Sequence, residues 1–202
     1  SEASGRVYAA QADKAVLMTS VTDGEAWSQD PLPGASGTVK ALFTSDEDAM
    51  VYMVRGDVLY GTLDVPAAWA LLLRPDPVAP VTAALAVDLA AIGPRGRLHA
   101  AGRLPGGGYA VRSSPDRGST WIAEGWPEGA TDVAASALAA GDVRPGLNGI
   151  WLALQDGRVY QSDDLGRTWS LIAELPIRAT RVVADPYTLE VWVGTDGLGL
   201  VR

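Results

Sequence analysis

This chain of 202 residues contains no cysteine, a single histidine, a single phenylalanine and only two lysines. Without cysteine, disulfides, thiolate metal sites and cysteine nucleophiles are excluded, while the compartment is left open. The lone histidine, His99 in Arg97-Leu98-His99-Ala100-Ala101, argues against a histidine-ligated zinc site. Nothing beside it in sequence supplies the nucleophile and orienting acid of a triad, so it reads as structural. No apolar run is long enough to span a bilayer as a helix; Leu71-Leu72-Leu73 soon meets Pro75 and Pro77. Basic residues are also scarce, 16 against 24 acidic, for a net charge of -8. That balance argues against a nucleic-acid partner. The chain opens on Ser1-Glu2-Ala3-Ser4-Gly5 without methionine, as expected after removal of a leader or at a boundary inside a longer protein.

What is present is a repeat. Ser114-Pro115-Asp116-Arg117-Gly118-Ser119-Thr120-Trp121 and Ser162-Asp163-Asp164-Leu165-Gly166-Arg167-Thr168-Trp169 both fit Ser-x-Asp-x-Gly-x-Thr-Trp. Looser copies end at Trp27 and Trp69. The first, from Ser20, shifts the acid by one place; the second, from Thr62, has Pro66 where glycine is expected. Trp27, Trp69, Trp121 and Trp169 are spaced by 42, 52 and 48 residues, about the length of a four-stranded propeller blade.

Before each copy stand two short apolar runs joined by a Gly- or Asp-bearing turn. Ile150-Trp151-Leu152-Ala153-Leu154, Gln155-Asp156-Gly157 and Arg158-Val159-Tyr160-Gln161 show this best. Asp-Gly between apolar runs is a strong hairpin signal. Earlier runs, Val39–Phe43, Val81–Val87 and Arg181–Ala184, are apolar enough for strands packed between sheets and read as the innermost strands. The expected fold is all-β: a propeller of four-stranded antiparallel blades in a single domain over 1–202. The units span about 6–33, 38–76, 81–127, 131–176 and 180–202. The first lacks its innermost strand and the last its outermost. Five blades is the expected count; a four-bladed ring with one composite blade, or a partial ring completed by another chain, are the alternatives.

The motif resembles the Asp-box, or bacterial neuraminidase repeat, of sialidases, sortilin-type receptors and photosystem II assembly-factor propellers. In that resemblance the box is structural. Asp116 and Asp164 accept backbone N–H groups of their own turn. Gly118 and Gly166 supply a backbone angle unfavourable to other residues. Thr120 and Thr168 close the turn, and the tryptophans bury a large ring. Ser114 and Ser162 open the two full copies.

Resemblance to sialidases implies an arginine triad, a Tyr–Glu nucleophile pair, an Asp acid/base and an Arg-Ile/Leu-Pro motif before the first box. Arg103-Leu104-Pro105 falls after two degenerate boxes and precedes Gly106-Gly107-Gly108, which reads as a hairpin turn. Tyr109, Tyr160 and Tyr187 have no glutamate placed to activate them.

Trp126 lies outside the period, in a breaker-rich loop, as a candidate partner or glycan contact or a side chain folded over the blade edge. Asp13, Asp57, Asp156 and Asp196 occupy equivalent turns and could ring a cation, although turn chemistry explains them. Loops 30–37, 74–80 and 141–146 are proline-stiffened. The expected function is a non-enzymatic interaction scaffold, a subunit or assembly factor of a larger protein complex (membrane-associated or not) outside the cytoplasm. No catalytic, cofactor or metal residues are assigned. The alternative is a sialidase-like hydrolase or glycan-binding propeller.

Overall fold

The computed structural model describes residues 5–10, 16–34, 37–45, 50–63, 68–74, 84–144, 147–185 and 190–202, with backbone alone over 142–144 and 147–148. Short apolar runs cut by turns fold into five antiparallel sheets. Blade 1 holds β1 (Val7–Ala10), β2 (Val16–Ser20) and β3 (Ser28–Pro31). Blade 2 holds β4 (Val39–Thr44), β5 (Met50–Arg55), β6 (Val58–Leu63) and β7 (Ala70–Leu73). Blade 3 holds β8 (Ala86–Ile92), β9 (Leu98–Arg103), β10 (Tyr109–Ser114) and β11 (Ile122–Ala123). Blade 4 holds β12 (Ala135–Arg144), β13 (Leu147–Leu154), β14 (Arg158–Ser162) and β15 (Ser170–Glu174). Blade 5 holds β16 (Ala179–Ala184), β17 (Val191–Thr195) and β18 (Gly199–Val201). Strands in every blade follow chain order, each paired with the next.

The core lies between sheets, one cluster per junction. Leu17 and Leu32 meet Met53 between blades 1 and 2. Tyr52, Val54 and Leu59 meet Val87, Leu98 and Ala100 between blades 2 and 3. Ala101 and Val111 meet Leu152 and Leu154 between blades 3 and 4. Trp151 and Val159 meet Val182 and Val193 between blades 4 and 5. Each fully buried Leu or Val contributes about 1.5–3 kcal/mol relative to exposure. Burial on both faces of a middle strand explains why β5 reads as the near-continuous apolar run Met50-Val51-Tyr52-Met53-Val54.

Three expectations change. Among the described residues the sheets number five, and the terminal ones carry three strands each rather than forming one four-stranded composite blade. The inner strand expected at Val81–Val87 lies further on, at Ala86–Ile92, and Val81, Thr82 and Ala83 are outside the described residues. The apolar run does not end at Asp88, because the ladder bulges between Val87 and Leu89 and the Asp88 carboxylate is ion-paired to Lys40. Residues 141–144, expected as loop, continue β12, with Gly141 opposite Gly149 and Arg144 opposite Leu147. Backbone pairing there extends the hairpin beyond its apolar part.

Candidate functional site

The two full repeats form the same turn. In blade 3, Ser114 Oγ accepts from Gly118 N at 2.7 Å and donates to Asp116 Oδ1 at 2.9 Å. Asp116 accepts from Thr120 N at 2.7 Å and from Thr120 Oγ1 at 2.6 Å. In blade 4, Ser162 Oγ accepts from Gly166 N at 2.7 Å, and Asp164 accepts from Thr168 N, Thr168 Oγ1 and Arg167 N at 2.7–3.0 Å. Gly118 and Gly166 have φ of 90° and 101°, a region that disfavours side chains. The Thr120 hydroxyl and N–H hold the Asp116 carboxyl below its ordinary value. Burial opposes the same effect at Asp164, but its N–H and hydroxyl donors prevail. In blade 1 the acid is replaced rather than shifted: Thr22 Oγ1 accepts from Ala26 N at 2.8 Å, in the place of the aspartate. In blade 2, Thr62 Oγ1 donates to Ala68 O at 3.0 Å, and residues 64–67 lie outside the described residues.

These turns also grip the preceding blade. Trp121 Nε1 donates to Leu72 O at 2.8 Å, and Trp169 Nε1 to Gly125 O at 3.3 Å. Gly125 N donates to Gly166 O at 2.7 Å. Trp27 Nε1 donates within its own turn, to Gly24 O, while Trp69 packs against the cluster between blades 1 and 2. The junction of blades 3 and 4 carries a polar seam as well. Ser113 Oγ donates to Leu165 O at 3.2 Å and lies 2.8 Å from His99 Nδ1. With its proton on Leu165, the hydroxyl accepts from Nδ1–H, and Nε2 is then the ring acceptor. Nε2 is buried with no partner among the described residues. Burial, with Arg97 adding to it, lowers the His99 pKa to about 3. The Glu124 carboxyl is raised by burial, against the pull of Arg167, whose Nε stands 3.8 Å away.

Inner strands β4, β8, β12 and β16 line a central channel of about 460 Å³. Twelve of its fourteen lining residues are Ala, Val, Leu, Ile or Phe; the others are Lys40 and Arg181. Lys40 Nζ donates to Asp57, Asp88 and Val87 O at 3.0–3.1 Å. Neither cation stands out in sequence, because each sits inside a run that otherwise reads as buried strand.

The four turn aspartates, read in sequence as turn residues that could also ring a cation, have the following partners among the described residues. Asp57 pairs with Lys40 and Asp156 with Arg158, the backbone N–H of Asp196 donates to Arg178 O, and Asp13 is outside the described residues. No cluster of three metal-ligating side chains occurs among the described residues. Trp126 is half-buried, stacked on Tyr109 at 5.6 Å, with Nε1 donating to Ala130 O at 2.8 Å. Arg103, at the end of β9, lies over the other partner of that stack, 5.8 Å from the Tyr109 centroid. Tyr160 is buried, and Tyr187 is outside the described residues.

Solved structures resemble this chain. YCF48 bound to a D1 peptide is 18% identical, with 92% of this chain and 56% of that chain covered and a TM-score of 0.62. The GH74 xyloglucanase from Xanthomonas campestris is 14% identical, with 96% and 34% covered and a TM-score of 0.65. A chain of the mitotic checkpoint complex is 14% identical, with 96% and 55% covered and a TM-score of 0.69. Together with the five radial sheets, these likenesses define the class: the chain is a β-propeller. It spans little more than half, or only a third, of the length of those chains. No family model matches it, nor does any curated protein. Among the described residues no helix is long and apolar enough to cross a membrane.

Proposed function

We propose that this chain is a non-enzymatic propeller of the Asp-box type, acting outside the cytoplasm as an interaction scaffold within a larger protein complex. The observation that carries this reading is the lining of the channel, twelve apolar side chains with Lys40 and Arg181. Such a wall suits a partner segment with apolar side chains and a polar or anionic group near Arg181, since Lys40 is engaged by Asp57, Asp88 and Val87 O. Most glycoside hydrolases work through two carboxylates flanking the scissile bond, and sialidases through a tyrosine nucleophile with an acid beside it. The described lining contains neither carboxylate nor tyrosine and a single arginine, Arg181, and Asp57 and Asp88 beside it are both engaged by Lys40. The outer strands of blades 2, 3 and 4 expose Leu71, Ile122 and Leu171, which supports a rim that other proteins cover. One similar propeller is described with a bound peptide and another within a multiprotein complex; the xyloglucanase supports the glycan reading only through the shared fold. Trp126, with Tyr109 beneath it, remains the proposed aromatic contact on the face bearing the β9–β10 turn.

The test is affinity purification from source cells with mass spectrometry, comparing the native chain with an Ala91→Arg/Ala139→Arg variant that blocks the channel. The expected outcome is a recurrent protein partner lost by the variant, with no turnover of xyloglucan or sialosides. Hydrolysis of either glycan, or a partner set indifferent to the block, contradicts the proposal.

A further inference from the structure

The face that blade 3 turns toward blade 4 is built from other residues than the matching face of blade 2. In blade 2, Tyr52 stands opposite Gly61, and a Cβ on Gly61 would lie 2.8 Å from Leu72 Cδ1 and 3.2 Å from Tyr52 Cδ1. The matching pair in blade 3, one residue before the turn, is His99 opposite Ser113. Gly166 of the next turn packs on Glu124 as Gly118 packs on Leu72. Histidine, serine and glutamate therefore replace tyrosine, glycine and leucine, and all three are buried.

The closed junction accommodates the ring in its neutral form. Nδ1–H donates to Ser113 Oγ, whose own proton goes to Leu165 O of blade 4. Nε2 has no partner among the described residues. It faces Gly93, where a Cβ would stand 3.6 Å from Nε2 and 3.3 Å from Cβ of Ala140 in blade 4. An imidazolium is a donor at both nitrogens, and nothing polar is placed to accept at this one. The charged groups on the surrounding elements are Arg95 and Arg97 before β9, Arg112 on β10, Glu124 after β11, and Asp164 and Arg167 in the blade 4 turn. Arg97 repels a charged ring, Glu124 faces Arg167, and Asp164 is held by Ser162 and Thr168. A cation buried without acceptor or counter-charge is strongly disfavoured.

We infer that the junction of blades 3 and 4 is an acid-sensitive seam: His99 takes up a proton only when blade 4 parts from it, so falling pH opens this junction ahead of the others. The closed ring has a pKa of about 3 and an exposed one about 6.5. Between those values the open state alone binds the proton, and it gains on the closed state as pH falls. Glu124, raised by burial, works in the opposite direction. Ala91 and Ile92 on one side of the seam and Leu138, Ala139 and Ala140 on the other line the channel. Opening therefore reshapes the wall offered to a partner, a consequence that rests on the interaction reading above, whereas the opening itself does not.

The test is amide exchange by NMR on the whole chain at pH 7 and pH 5, corrected for intrinsic rates. Gly125 N–H donates to Gly166 O across the junction of blades 3 and 4, and Val87 N–H donates to Asp57 O across that of blades 2 and 3. Protection at Gly125 should fall roughly tenfold between pH 7 and 5, with Val87 unchanged, and His99→Asn should remove the fall. The single histidine also makes the ring nitrogens directly assignable in the native chain. At pH 5 the ring should be neutral, with its proton on Nδ1. Equal loss of protection at Gly125 and Val87, no loss at Gly125, a loss that persists in His99→Asn, or a ring already charged at pH 5 would overturn the inference. None of these readings needs a partner, so they fail separately from the channel-block comparison.

Discussion

At the scale of single residues, burial sets the chemistry. His99 is the only histidine, and its burial favours the neutral ring, with a folded pKa of about 3 against about 6.5 in an unfolded chain. Between those values the unfolded chain binds a proton that the folded chain refuses. Stability is therefore retained above about pH 6.5 and lost as pH falls toward 3, at a slope approaching 1.4 kcal/mol per pH unit. Glu124, raised by burial, opposes that slope, because its folded form takes up a proton first. Asp116 and Asp164, both lowered, contribute stability above the ordinary carboxylate range and lose it as pH falls through their folded values. Urea unfolding between pH 7 and 5, compared between the native chain and the His99→Asn variant, reads the histidine's contribution. The native chain should weaken across this range and His99→Asn should flatten or reverse the trend. A profile that His99→Asn leaves unchanged would place the ring in water.

At the scale of elements, the repeated turn is a hairpin support and an inter-blade clasp together. A Cβ on Gly118 would lie 2.9 Å from Leu72 Cδ1 of blade 2, at a φ of +90°. Gly118→Ala should therefore cost about 1–3 kcal/mol, measured by chemical denaturation. Trp121→Phe keeps most of the ring but removes the donor to Leu72 O, and should cost about 1 kcal/mol. A neutral result for both would mean that the turn serves its own blade alone. The turn itself was legible in sequence, since Ser114, Asp116, Gly118 and Thr120 close on one another within seven residues. The clasp was not, because Trp121 and Leu72 stand 49 residues apart and no periodicity links them. Replacement of the aspartate by Thr22 was hidden because Asp23, beside it, looked like a displaced acid. The extent of β8 is hidden in sequence because Asp88, ion-paired to Lys40, interrupts the apolar pattern.

At the scale of the whole molecule, the periodic tryptophans located the blades, and the missing inner and outer strands at the two ends were also readable from the order of the runs. The channel was less so. Its wall is built from mostly apolar residues of four strands far apart in sequence, and their convergence comes from the packing of neighbouring sheets rather than from any local pattern. The account depends on those sheets standing side by side about one axis. The absence of cysteine makes this open to a direct measurement. A Cβ on Gly93 of blade 3 would lie 3.3 Å from Cβ of Ala140 in blade 4, and φ at Gly93 is -102°, a backbone angle open to any side chain. That separation is close to the about 3.5–4.5 Å of a disulfide. In Gly93→Cys/Ala140→Cys, mild oxidation should consume both thiols and yield a 93–140 cross-linked peptide within one chain by mass spectrometry. Thiols that stay free, or that pair only between chains, would contradict the side-by-side packing of blades on which the channel rests.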